Sequence, residues 1–199
     1  MGRQHGGMHD SLHRPAGTLE HGPVILRRWQ VGDEDAAYLS VIESQAHLRP
    51  WMPWAAAYTR QNAAEFVAAC EHDWQSGAAY NYAITTEGQV AGSCGLMARI
   101  GPGGLEVGYW VHQAHIRRGL ATAAAAALTD AAFRLPGIDH VDIVHDELNE
   151  ASAAVPRKLG FTEIGSRPLD VTPEAGTGLG IVWRRTRPDG PGPVGPAFP

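Results

Sequence analysis

Residues 105–134 read LEVGYWVHQAHIRRGLATAAAAALTDAAFR, and Pro136-Gly137 follow almost at once. Apart from Glu106 and Gly108, Leu105–Val111 is a run of aliphatic, aromatic and β-branched residues, the composition of a strand. In the alanine-rich stretch beyond it, Leu120, Ala124, Leu128 and Ala131 recur at helical spacing. Alanine is the strongest helix former, and its small side chain lets a helix lie close to a sheet; Pro136-Gly137 ends the run. The segment therefore predicts a strand, an Arg- and Gly-containing turn, and a long helix. That order builds an anion site. The first helical turn has unpaired N–H groups and the positive end of the helix dipole, with Arg117 and Arg118 beside it. Gly119 carries no Cβ to hold a phosphate away from the backbone. A diphosphate suits that geometry, although an ordinary connection with solvated arginines suits the same residues.

Outward from this segment the elements alternate. Val24–Trp29 reads as a short strand, and a helix opens at Asp33. The loop AHLRPWMPWA gathers two tryptophans and two prolines, and Asn62 with Glu65 reads as a capping-box start for a second helix. Tyr80–Thr86 and Gln89–Arg99 read as a strand pair turning at Glu87-Gly88. Downstream, His140–His145 reads as a strand, Asn149 caps a helix ending at Leu159-Gly160-Phe161, and Gly180–Arg185 reads as a last strand. This order predicts an α/β layered domain with a mixed sheet covered on both faces. Residues 1–22 and 187–199, rich in Gly and in Pro/Gly respectively, are expected to be flexible tails around one domain at 23–186.

The chain has 199 residues, 44% hydrophobic, and 16 Lys+Arg against 21 Asp+Glu give a net charge of −5. A single core is affordable at this length. Mild acidity does not favour nucleic acid or anionic membrane as a partner. The start of the chain has no signal-like apolar run, and a cytoplasmic location with reduced Cys70 and Cys94 is expected. His5, His9 and His13 have ligand-like spacing, but Gly6, Gly7 and Pro15 oppose the helix that would align them, so no metal is expected. There is no GxxxxGK[ST], and the alternating glycines of Gly176-Thr177-Gly178-Leu179-Gly180 lack the GxGxxG spacing and lead into no clear helix, so a flexible loop is expected there.

The ordered set LEVGYW, RRGLAT, NEAS and KLGF, with LRRW and LRPWMPW upstream, resembles the GNAT acyltransferase superfamily over residues 24–185. Within it, the chain is most similar to the Rim-type ribosomal-protein N-terminal acetyltransferases. The resemblance implies a three-layer αβα sandwich with a mixed, mostly antiparallel central sheet. It also implies a splayed parallel pair, Leu105–Val111 and Val141–Val144, which binds the pantetheine arm of acetyl-CoA. Val111 then addresses pantetheine, and the pyrophosphate sits on Ile116, Arg117, Arg118, Gly119, Leu120, Ala121 and Thr122. Ile116 departs from the usual polar residue at the start of that turn. Asn149 resembles the asparagine that touches the cofactor arm, a role compatible with capping. Ser152 matches a serine able to bond the sulfur as thiolate leaves, or it is a capping-turn hydroxyl. Pro156 lacks the amide that Ser152 carbonyl would normally receive.

The chemistry implied is acetyl transfer from acetyl-CoA to a primary amine, by direct attack in a ternary complex. The acceptor is a protein N-terminal α-amino group or a small-molecule amine. Another acyl-CoA such as succinyl-CoA, an antibiotic amine, and a non-catalytic CoA-binding module are the alternatives. Glu106, a carboxylate in an apolar strand, is either the general base or a group that positions the amine. Trp51, Met52 and Trp54 line the acceptor cleft, pack in the core, or form a subunit interface. A homodimer is expected from the resemblance alone.

Overall fold

The computed structural model describes residues 14–188. Its strands are β1 (Thr18–His21), β2 (Val24–Arg28), β3 (Ala79–Thr86), β4 (Gln89–Met97), β5 (Gly104–Val111), β6 (His140–Asp146), β7 (Thr162–Pro168) and β8 (Leu179–Thr186). The helices are α1 (Glu34–Ile42), α2 (Gln45–Leu48), α3 (Arg60–Ser76), α4 (Leu120–Arg134) and α5 (Glu150–Lys158). One eight-stranded sheet has the order β1-β2-β3-β4-β5-β6-β8-β7, antiparallel throughout except for the parallel pair β5–β6. Helices α1 and α3 pack on one face and α4 on the other, which makes the layered α/β sandwich.

The parallel pair does not run its full length. β5 pairs β6 only from Gly104↔His140 to Val107↔Ile143. Beyond that point β5 stays with β4 as far as Gly92↔Val111, while β6 stays with β8 as far as Asp146↔Gly180. The sheet is thus split, and the backbone of residues 108–111 presents a ladder edge to the opening rather than to a strand.

The α4 helix is buried almost all round, from Ala123 through Thr129, because sheet, β1 and α5 surround it. A helix so enclosed needs small residues on every side, which explains the alanine run. Leu26, Ile84, Leu96, Leu128 and Ile143, all at most 1% exposed, form the centre of the core against it.

Three expectations change. Residues 18–21, read as part of a tail, form β1; only Leu19 of the four is buried, so no apolar alternation marks the strand. Helix α3 begins at Arg60, with Thr59 as its N-cap and Asn62 in the third helical position of the capping box, so Asn62 is not the cap. Residues 162–168, unassigned by the sequence, form the edge strand β7, exposed along most of its length and bulged near Gly165. The remainder of the expected tails, residues 1–13 and 189–199, lies outside the described residues, and with it the His5, His9, His13 series.

An ion pair fixes the start of α1. Arg27 donates two hydrogen bonds to Asp33, at 2.6 and 3.0 Å, and Gln30 N–H adds a third at 2.9 Å. Burial alone raises the Asp33 pKa, but the Arg27 and Gln30 hydrogen bonds outweigh it and hold the carboxyl below its usual value. The stability this contributes is complete above the unfolded-state pKa near 3.8 and is lost as pH falls through the lower folded value. Asp33→Asn is expected to cost about 1–2 kcal/mol at neutral pH, with the difference shrinking below about pH 4, as urea titration at several pH values will show.

Candidate active site

Two cavities meet at the split. Along β5, Tyr109 and Val111 pack toward the α4 core, whereas Glu106, Gly108 and Trp110 fall on the opposite face, that of α1 and α3. The first cavity is a groove of about 620 Å³ on the α4/α5 side, which runs from Val111 to the start of α4. The second, of about 530 Å³, lies on the α1/α3 side. Met52, Tyr109 and Trp110 line both.

The groove is built for an extended ligand with an anionic end. Val111, Ile116, Arg117, Gly119, Leu120, Ala121, Thr122, Asn149 and Ser152 all line it, so most of the expected cofactor residues converge there. Gly119 caps α4 with φ of 77°, has nothing within 4 Å of where a Cβ would stand, and leaves the first amides of the helix without a side-chain cap. Arg117, also left-handed at φ of 59°, tightens the same turn. These open amides at a helix start fit a pyrophosphate. Arg118 is placed differently. Its guanidinium bonds His115 Nδ1 at 3.0 Å and Glu87 at 3.2 Å, tying the turn to the β3–β4 hairpin, and it is not among the groove-lining residues.

Asn149 caps α5, its Oδ1 accepting the Ser152 N–H at 3.1 Å. Pro156 lies inside α5, which runs on unbroken to Lys158. The Ser152 carbonyl that lacks a proline amide is supplied instead by Tyr109, whose hydroxyl lies 3.2 Å from it and 3.1 Å from Ser152 Oγ. Burial pushes the Tyr109 hydroxyl up to about 12, with the Ser152 hydrogen bond opposing, so it remains a protonated donor at neutral pH. Tyr109→Phe is therefore expected to cost about 1 kcal/mol by leaving the half-buried Ser152 carbonyl without its partner. Pro156→Ala, which returns the amide, should recover most of that loss in the double variant, as read by thermal melting.

Glu106 is 3% exposed, and both its oxygens are engaged. Arg99 from the β4–β5 loop pairs with one, and Arg167 of β7 donates to the other at 3.0 Å. The three residues line a separate polar cavity of about 310 Å³ together with Asp170. Trp54 lines the second of the two main cavities, whereas Trp51 lines the groove and Met52 both. The rest of that second cavity, including Trp29, Tyr58, Phe66 and Gly108, was missed by sequence reasoning. Cys70 and Cys94 are buried free thiols, and burial raises the Cys70 pKa to about 12, so it is no nucleophile at neutral pH. Among the described residues no group of three or more His, Cys, Asp or Glu is placed to hold a metal, and no helix is long and apolar enough to cross a membrane.

The sheet split between two parallel strands, with a groove leading to an uncapped helix start, is the arrangement expected from the resemblance to acyltransferases. Residues 24–162 match the family model described as an acetyltransferase (GNAT) domain, and the chain belongs to that family. Among solved structures it is similar to RimL, a ribosomal L7/L12 α-N-protein acetyltransferase in complex with CoA. The TM-score is 0.77 at 21% identity, covering 85% of this chain and 97% of that one. Mycobacterium smegmatis RimJ, in complex with a CoA disulfide, gives 0.75 at 22% identity with 87% of each chain covered. The microcin C7 self-immunity acetyltransferase MccE, in complex with acetyl-CoA and AMP, gives 0.76 at 17% identity, with 83% and 93% covered. No curated protein matches the chain by sequence.

Proposed function

We propose that the protein is an acetyl-CoA-dependent N-acetyltransferase acting on a primary amine, either a protein N-terminal α-amino group or the amine of a small molecule. The observation that carries this reading is the split after Val107↔Ile143, which turns the backbone edge of residues 108–111 toward a groove ending at Gly119. Similar structures that hold CoA or acetyl-CoA support the donor.

In this reading the backbone of 108–111 hydrogen-bonds the pantetheine arm, and the amides around Gly119 with Arg117 take the pyrophosphate. The acceptor enters from the second cavity, on the other side of Tyr109 and Trp110. A neutral amine nitrogen forms the new C–N bond as the C–S bond breaks, and its proton leaves to water. An N–H near Val111 stabilises charge on the carbonyl oxygen. The Ser152 hydroxyl rotates from the Tyr109 oxygen, 3.1 Å away, to donate its hydrogen bond to the departing sulfur. Glu106, with both oxygens taken by guanidiniums, acts by fixing Arg99 beside the acceptor cavity and so positions the amine rather than accepting its proton.

The test is release of CoA thiol from acetyl-CoA in the presence of primary amines, with mass spectrometry of the acetylated product. Amine-dependent release with an N-acetyl product supports the reading. Binding of acetyl-CoA with no transfer to any amine makes the protein a binding module, and preference for succinyl-CoA changes the donor.

A further inference from the structure

The acceptor cavity itself indicates what kind of amine fits. Its floor is a pair of glycines directly opposite one another at the centre of the sheet, Gly95 on β4 and Gly108 on β5. They are glycines for different reasons. A Cβ on Gly95 would meet Asn81 Oδ1 at 2.5 Å and the Tyr80 carbonyl oxygen at 3.1 Å, so packing forbids any side chain there. Gly108 has no positive φ, and a Cβ there would meet only the flexible end of Met97, its methyl 3.1 Å away. Glycine in the interior of a central strand forfeits strand propensity and side-chain packing, and it marks a place where another group comes close to the backbone. Neither backbone conformation nor packing demands glycine at 108; the open cavity above it does.

The walls are aromatic. Trp54 lies against Tyr58 at 5.6 Å and Trp110 at 6.3 Å between ring centroids, and Trp29 meets Phe66 edge-to-face at 5.7 Å. Trp54 is 48% exposed and stands on the short 3-10 turn Pro53–Ala57 at the rim. The polar lining adds no negative charge. Ser93 is already occupied, accepting from Trp29 Nε1 at 3.0 Å and bonded to the Tyr82 carbonyl at 3.2 Å, and the charged lining residue is Arg99. A polycation would meet a guanidinium there and no carboxylate to receive its second charge.

We infer that the acceptor is a primary amine carried on a flat aromatic side group, which lies over Gly108 between Trp54 and Phe66. Polyamines, aminoglycoside-like polycations and small aliphatic amines are disfavoured. The ring gains face and edge contacts with the aromatic walls, while its amine reaches the junction at Tyr109 and Trp110. This inference rests on the acetyl-transfer reading and specifies its acceptor.

The test compares tryptophanamide and phenylalaninamide with alaninamide and spermidine. Two readouts are taken: acetyl-CoA thiol release, and calorimetric binding of each amine to the protein saturated with free CoA. The wild-type protein is expected to favour the two aromatic amides at least about tenfold in kcat/KM and in affinity. Gly108→Val places its side chain on the cavity side, away from the groove. It should remove that preference in the amine titrations, which are taken at saturating CoA so that any change in donor affinity does not enter the comparison. Equal or better use of alaninamide or spermidine overturns the inference, as does an aromatic preference that survives in Gly108→Val. Aromatic-selective binding without thiol release from any amine leaves the cavity assignment standing and overturns the transfer reading instead, so the two failures are distinct.

Discussion

Gly119→Glu is expected to lower acetyl-CoA affinity by at least about 100-fold, a loss of about 2.7 kcal/mol, in a protein that still melts cooperatively. Two effects act together. The residue sits at φ of 77°, where any side chain other than glycine costs about 1–2 kcal/mol of backbone strain. The new carboxylate also enters the open space before the first amides of α4, where a pyrophosphate would bring like charge. Gly119→Ala separates the two: it adds the strain without the charge and should weaken binding by only a few fold. Calorimetry on the three proteins measures both steps. Unchanged affinity in Gly119→Glu would remove the α4 turn from the donor site.

Glu106→Gln should keep acetyl-CoA binding and reduce kcat/KM for the amine on the order of 100-fold, mainly through KM. The neutral amide no longer counters both Arg99 and Arg167, so Arg99 is released at the edge of the acceptor cavity. Loss of a charge-assisted hydrogen bond at a buried carboxylate also costs about 1.5–3 kcal/mol of stability. The pH profile distinguishes positioning from proton transfer. A positioning Glu106 leaves the limb of the pH–rate profile in place in the variant, whereas a general base takes that limb with it. A large fall in kcat with the limb abolished would return Glu106 to the role of base.

The segment from Leu105 to Arg134 was legible because each local signal agreed. Apolar composition, a glycine before an alanine-rich helix, and a Pro-Gly stop all specify the same strand, turn and helix. The edge strands were not, since β1 and β7 bury little and their polar residues carry no alternation; pairing in the finished sheet makes them strands. The groove was mostly readable, because most of its residues come from two stretches, 109–122 and 149–158, with only His47, Leu48, Trp51 and Met52 added from elsewhere. The acceptor cavity was not, because Trp29, Phe66, Gly95 and Gly108 come from four separate segments and meet only through tertiary packing. Pro156 announced a missing amide in the sequence, but its substitute, the Tyr109 hydroxyl, comes from a strand far away along the chain.

Whether the split sheet holds an acyl-CoA is decided by calorimetric titration of the protein with acetyl-CoA, free CoA and succinyl-CoA. Saturable binding at one site is expected, with acetyl-CoA and CoA both bound and Gly119→Glu silent. Absence of binding by all three ligands to a folded protein would contradict it.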